Sequence, residues 1–402
     1  MRWVTKFLVV ALCLCMAVPA LAAGEGESVW SKYNMKLYGR VKMDYLYQTG
    51  RSSASTVATN VVDRRTTDDH DNDSTNFKAR DTRFGFFVSH EAGEWVGKGR
   101  FEIDMFGNAT GNATQPRFRL GYVDLANKDW GTSFRAGKDW QAISQLHPST
   151  IDFGILLRAG NLWERPDQFT VRQKVGDNLE VLTTAFKFVL GSAANNSTGD
   201  ESVMPWVGTR LAYSFEAFDG KHLLAVNAAY QGDEDNDTKE DIDRWLIAGE
   251  FKFSLGPVLL KGEVWYGEAI DGHFSRSDAI AVQKAGAAKG DKTQEVEAWG
   301  GWIDATYKIM PKWSITAGVG IDDPEEDDFK VGGTRNSMGN AAFSENLQTY
   351  VNTWYSITPA IKVGAEWMYV DTERKQGDGD PNPGNNYSKS YSQILGSVFY
   401  NF

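Results

Sequence analysis

Cysteine is missing from all but the first fifteen residues, where Cys13 and Cys15 stand alone. Beyond that point the chain can rely on no disulfide framework, thiolate nucleophile or cysteine-bound metal. Histidine is scarce as well: His70, His90, His147, His222 and His273 are scattered, with no HExxH or other metal spacing. No cofactor or metal follows from such a pattern. Runs of lysine or arginine are absent and the formal net charge is −11, which argues against nucleic acid as a partner. After the first residues no window approaches the roughly 18 consecutive apolar residues of a spanning helix.

Those first residues are the exception. MRWVTKFLVVALCLCMAVPALAAG carries Arg2 and Lys6, an apolar run from Phe7 to Val18, then Pro19 and small residues. Residues 1–22 read as a secretory signal peptide cut after Ala22, which places the protein beyond the inner membrane. Losing Arg2 and Lys6 with it takes the formal charge from −11 to −13. Residues 23–32 form a short periplasmic lead-in, and no linker divides residues 33–402, so a single domain is expected.

What the chain has in abundance is aromatic side chains and glycine: 14 Trp, 15 Tyr, 22 Phe and 40 Gly in a sequence that is polar on average. Strands apolar on one face only give that balance in a transmembrane barrel. The final stretch shows the design. Ile394, Gly396, Val398, Tyr400 and Phe402 share one face of an extended strand, while Gln393, Ser397 and Asn401 share the other. Chain ends usually fray into water, so a terminal Phe that completes an apolar stripe points to lipid.

The same alternation recurs along the chain. Strands are expected at 33–48, 78–90, 96–107, 116–127, 132–140, 169–175, 179–190, 204–216, 222–232, 243–255, 258–268, 295–309, 313–322, 346–357, 360–371 and 389–402. Within 295–309 a bulge is expected to keep Asp304 and Lys308 inward, and 179–190 fits either register. Trp245, Trp302, Trp313, Trp367 and Tyr400 are placed outward, in an interfacial girdle. Tight turns such as Gly176-Asp177-Asn178 and Gly256-Pro257 alternate with long polar loops. Short turns on one rim and long loops on the other mark an outer-membrane barrel. The expected fold is therefore all-β: a transmembrane antiparallel barrel of about 16 strands, wide enough for an aqueous lumen.

Charges of both signs accumulate on the inward faces, including Arg40, Arg83, Arg100, Glu102, Asp104, Arg117, Arg119, Arg135 and Arg172. Turning a basic one toward lipid at mid-bilayer would cost about 2–4 kcal/mol, so they must face water. Such a lumen needs something to set its bore. The third long connection, 141–168, is more apolar than an external loop should be (Ile143, Leu146, Ile151, Phe153, Leu162, Trp163). Long structureless loops are usually functional. It is expected to fold inward and carry Asp152 and Glu164 toward Arg40, Arg83 and Arg119; packing among external loops, or a subunit contact, is the alternative.

Particular motifs carry a family resemblance. Leu37-Tyr38-Gly39-Arg40, Thr82-Arg83-Phe84-Gly85-Phe86, Gly97-Lys98-Gly99-Arg100-Phe101-Glu102, Phe118 to Leu125 and Trp130 to Lys138 resemble the first five strands of Gram-negative general porins. Phe402 resembles their terminal aromatic. The DcaP-like branch of trimeric porins is a second home for the same features. The resemblance implies a homotrimeric channel narrowed by an inward third loop, with Arg40, Arg83 and Arg119 in the wall cluster and Arg165 or Arg172 as its further arginine. The chain departs from the family in lacking the Pro-Glu-Phe-Gly signature of that loop.

The implied function is passive diffusion of ions and small hydrophilic solutes through the outer membrane, with a slight lean to anions. Outer-membrane lipid and lipopolysaccharide are the expected surroundings. A channel selective for small organic anions is the alternative. An outer-membrane barrel enzyme is a lesser one, because no Ser/His or Asp/His constellation is evident, and a secreted soluble β-sandwich is another. The acidic runs Asp69-x-Asp71-x-Asp73 and Asp233-x-Asp235-x-Asp237 lack the glycine and closing glutamate of a calcium loop and read as solvated faces.

Overall fold

The computed structural model describes residues 33–50, 52, 56–59, 61, 72–107, 114–188, 204–234, 239–270, 274, 281–283, 293–325, 328, 342–375 and 387–402. The expected signal peptide and lead-in, His70, His273 and most of both acidic runs lie outside them.

Nineteen strands occur among these residues. They are β1 (Asn34–Gln48), β2 (Ser74–Lys78), β3 (Arg83–Ala92), β4 (Trp95–Asp104), β5 (Arg117–Asn127), β6 (Thr132–Lys138), β7 (Asp167–Val175), β8 (Leu179–Lys187), β9 (Trp206–Ala217) and β10 (Gly220–Glu234). The rest are β11 (Asp241–Leu255), β12 (Val258–Glu268), β13 (Ala281–Gln283), β14 (Thr293–Glu295), β15 (Glu297–Met310), β16 (Trp313–Pro324), β17 (Ala342–Ser356), β18 (Ile361–Lys375) and β19 (Tyr387–Asn401).

Each wall strand pairs antiparallel with its neighbour in sequence. β1 pairs with β3 over Asn34–Arg40 and with β2 over Asp44–Gln48, so β2 and β3 are two halves of one wall strand, interrupted at residues 79–82. β13 and β14 form a separate hairpin. The wall is thus a closed barrel of sixteen strands. β19 returns to β1 from Arg40 opposite Asn401 to Gln48 opposite Gln393, and Phe402 exchanges both backbone hydrogen bonds with Gly39. Closure leaves no edge of unpaired amides, the condition for a sheet in hydrocarbon.

Alternation sorts the side chains. On β1, Val41 is 51% exposed on the outside, while Lys42, one residue on, is 1% exposed within. One register shift matters for the lumen. Glu102 pairs with Leu120 and Ile103 with Phe118, so Arg119 is the extra residue of a β-bulge in β5. Unbroken alternation would have turned Val123 and Leu125 inward with the arginines; the bulge leaves both exposed on the lipid side. The expected bulge in 295–309 is not needed, since the first register shift comes only at Lys308–Met310. Asp304 is buried inward, and Trp302, two residues earlier, must share its side of the wall. It is 3% exposed and belongs inside, not in the outer girdle. The ambiguous strand settles with Leu182, Thr184 and Phe186 inward. The strand β2 and the β13–β14 hairpin lie outside the expected set.

The interior is lopsided. Trp206, Leu246, Trp265, Trp302, Tyr350, Met368, Tyr391 and Leu395 line β9 to β19 with a buried apolar surface, whereas β1 to β7 present charges.

Candidate constriction site

The 139–166 connection covers that apolar half. Ile143 and Leu162 join the cluster around Trp206, Leu246 and Trp265; Leu156 and Ala159 join Trp302, Tyr350 and Met368; Ile151 packs with Leu46 and Leu395. A connection this apolar lowers its free energy by lying on an apolar wall rather than in water. Its backbone, which lacks a regular ladder, needs partners. Buried wall carboxylates supply them. Glu250 accepts the Leu146 amide (2.7 Å), Asp304 that of Ser149 (2.6 Å), Glu366 those of Ile151 and Asp152 (2.6 and 2.9 Å) and Glu263 that of Leu162 (3.0 Å). Lys42 and Lys261 donate to the carbonyls of Ile151 and His147. At Gly160 (φ 81°) the connection comes so close that a Cβ would lie 2.1 Å from the Gly301 carbonyl.

Opposite it stands the charged wall. Arg40 lies beside Arg83, Arg83 beside Asp104 and Asp104 beside Arg117, one inward row across four strands. The β5 bulge adds Arg119. Asp104 takes two hydrogen bonds from Arg117 (3.0 and 2.7 Å), and Arg119 is bound by Glu102 at 2.6 Å and Asp104 at 3.4 Å. Asp81 lies in the break between β2 and β3, where Thr82 turns back to the Ala79 carbonyl and its hydroxyl takes the Lys42 amide. The Asp81 carboxylate, so aimed inward, binds Arg40, Arg83 (2.9 Å) and Lys42 (3.1 Å).

Neither Asp152 nor Glu164 pairs with Arg40, Arg83 or Arg119, contrary to expectation, although Asp152 borders the same cavity. Asp152 is 1% exposed and turned toward the wall, where it pairs with Lys78 (3.5 Å) and accepts from Gln393 and the Gly154 amide. Burial demands a partner for a carboxylate, and Lys78 is the cation in reach. Glu164 accepts the Arg165 amide. The arginines meet aromatic rings instead. Phe153 stacks on Phe106 at 4.0 Å, and the guanidiniums of Arg83, Arg117 and Arg119 stand 5.8–5.9 Å from its centroid. Arg119 and Arg165 both lie over Trp140, and Arg165 over Trp163.

A cavity of about 210 Å³ remains between the two sides, lined by Arg40, Arg83, Arg119 and Arg165 with Phe153 and Trp140, and bordered by Lys42, Asp81 and Asp152. Burial near Arg117 and Arg83 lowers the Arg165 guanidinium to about 10, which leaves it charged at neutral pH. Arg172 is elsewhere, paired with Glu180 at 3.3 Å. So are Arg100, bound to Glu102 and the Tyr38 hydroxyl, and Arg135, held by Asp124 and Asp139. These three line a second cavity of about 380 Å³ toward the short-turn rim, reached past Trp140 and His147.

Known proteins agree with this architecture. The family model described as Gram-negative porin matches residues 9–374. The chain belongs to that family. It is an outer-membrane channel, and solutes cross the water-filled lumen of such a porin by passive diffusion. Among solved structures it resembles the outer membrane channel DcaP of Acinetobacter baumannii, at 20% identity and a TM-score of 0.73 over 93% of this chain and 99% of that one. The anion-selective porin from Comamonas acidovorans matches at 12% identity and 0.58 over 92% and 100%. The trimer form of Vibrio cholerae OmpT matches at 12% identity and 0.53 over 92% and 99%. At these identities the likeness is one of fold. No curated protein matches the chain in sequence.

Proposed function

We propose that the cavity between Arg40, Arg83, Arg119 and Arg165 and the aromatic edge of the 139–166 connection is the constriction of this porin, with a preference for small hydrophilic anions. One observation carries the proposal: four guanidiniums converge on one opening edged by aromatic rings, and both carboxylates in its lining are already held by cations, Asp81 by Arg40, Lys42 and Arg83 and Asp152 by Lys78. Wall carboxylates beneath the arginines fix them in place and offset part of their charge, so the preference is modest. The Comamonas neighbour, an anion-selective porin, supports the same sign.

The 139–166 connection, expected at 141–168, acts as the bore-setting loop. Arg100, Arg135 and Arg172 continue the basic path away from the constriction, with Glu102, Asp104 and Asp152 as fixed counter-charges. The protein acts as a channel and not as an enzyme. Assembly into homotrimers is supported by the trimer form of OmpT. Export by the leader 1–22 delivers the protein to outer-membrane lipid and lipopolysaccharide. Zero-current potential in a planar bilayer under a KCl gradient tests the constriction: replacing Arg83 and Arg119 by Gln moves it toward the cation side. An unmoved potential removes them from the selectivity.

A further inference from the structure

A third cavity, of about 470 Å³, opens from the constriction past Arg40, Thr150 and Phe399 toward the short-turn rim between β15 and β19. Its chemistry differs from that of the Arg100–Arg135–Arg172 cavity. There each cation is matched by a carboxylate: Glu102, Asp124 with Asp139, and Glu180. Here Lys308, Lys312 and Lys362 join Arg40, and no carboxylate contributes to the lining. Lys308 and Lys362 point inward from β15 and β18, and Lys312 sits in the Met310–Trp313 turn. All three are exposed, and among the described residues none stands within ion-pair distance of a carboxylate. Beside them lies an aromatic wall, with Trp354 edge-on to Phe399 at 4.9 Å. The Arg40 guanidinium is 5.0 Å from the Phe399 centroid.

Uncompensated ammonium groups around a wet concavity attract an anion that can keep much of its hydration. A neighbouring indole gives an aromatic body an apolar face to leave water against. We propose that this vestibule is a second anion site, downstream of the constriction, that holds small aromatic carboxylates, the carboxylate among Lys308, Lys312 and Lys362 and the ring against Trp354. The proposal rests on the lumen being the anion-preferring path described above.

Block of KCl current by benzoate, with acetate as the control, tests it on purified protein in planar bilayers. Wild type is expected to be blocked by benzoate at concentrations where acetate has no effect. The K308Q/K312Q/K362Q variant loses about tenfold in benzoate sensitivity, the scale for removing three nearby unit charges in a screened, solvated site. Trp354→Leu brings benzoate down to the level of acetate while leaving the lysines in place. Unboiled gel migration like that of wild type shows that the variants are folded. Equal action of benzoate and acetate on wild type overturns the proposal, as does undiminished block in the triple-lysine variant. The KCl zero-current potential of wild type answers a separate question: a cation-side value overturns the anion preference of the constriction, whereas the benzoate block alone decides the vestibule.

Discussion

Asp304→Asn is the most direct test of how the bore is set. The Asp304 carboxylate, buried on β15, accepts the Ser149 amide at 2.6 Å and the Tyr350 hydroxyl at 2.9 Å and pairs with Lys261 at 3.6 Å. Lys261 in turn holds the His147 carbonyl, so two adjacent side chains clamp residues 147 to 149. Asparagine keeps the shape and one acceptor but removes the charge. A hydrogen bond to a charged group is worth about 1.5–3 kcal/mol against 0.5–1.5 for a neutral one, so the loss there is about 1 kcal/mol. Stranding the cation of a buried pair costs about 3–5 kcal/mol. Lys261 keeps the His147 carbonyl and borders the wet lumen, which reduces that to about 1–2 kcal/mol. The sum, about 2–3 kcal/mol, is a factor of roughly 30–150 in the equilibrium between the docked and lifted loop. Hydrogen exchange at the 147–152 amides should quicken by that factor, and single-channel records should gain excursions between conductance levels. Asp304→Asn/Lys261→Gln should recover part of the loss, because no cation is stranded. Unchanged exchange and quiet channels in Asp304→Asn would refute the clamp.

Phe153→Ala removes the ring facing Arg83, Arg117 and Arg119 and the stack on Phe106, so unitary conductance should rise, with a cost of about 0.5–1.5 kcal/mol for the lost stack; conductance at the wild-type level would place the narrowest point elsewhere. Gly160→Ala forces a Cβ into the Gly301 carbonyl at a positive φ, and thermal denaturation should show a loss of several °C or a displaced loop. Burial against Trp140, with Lys261, Arg165 and Arg119 nearby, lowers His147 to about 4. The unfolded chain, near 6.5, then binds a proton that the folded one refuses, so stability falls as pH drops from 6.5 toward 4, by about 3 kcal/mol. His147→Gln should flatten that slope in denaturation measured against pH.

The barrel is legible in the sequence because its signal repeats in every strand: a two-residue period with charges on the face that lipid forbids. Phe402 and the alternation of turns and loops carry the closure. Less legible is anything that depends on one residue of register. Arg119 and Tyr122 share the lumen only because β5 bulges, and nothing in Phe118-Arg119-Leu120-Gly121 announces it. Side-chain chemistry alone puts Trp302 in the girdle, although its spacing from Asp304 already places it inside.

The apolar composition of the third connection reveals its inward fold, but composition says nothing of which way its acids turn. Asp152 follows a buried cation, Lys78, on the adjacent stretch of wall. Phe153, Trp140 and Trp163 do not stand out as partners of the arginines, though aromatic side chains in a supposed external loop are the available signal. Alternation places the anchoring carboxylates Glu250, Glu263, Asp304 and Glu366 inward but does not set them apart, since Glu250 and Glu263 have a lysine two residues away (Lys252, Lys261) and Asp304 and Glu366 have none. Their partners are loop amides, which no side-chain pattern reveals.

Single channels of the purified protein under a KCl gradient test the central claim most directly. Stepwise conductance with a zero-current potential on the chloride side is expected from a water-filled lumen narrowed by four arginines. Electrical silence from folded protein, or a potential on the potassium side, would contradict it.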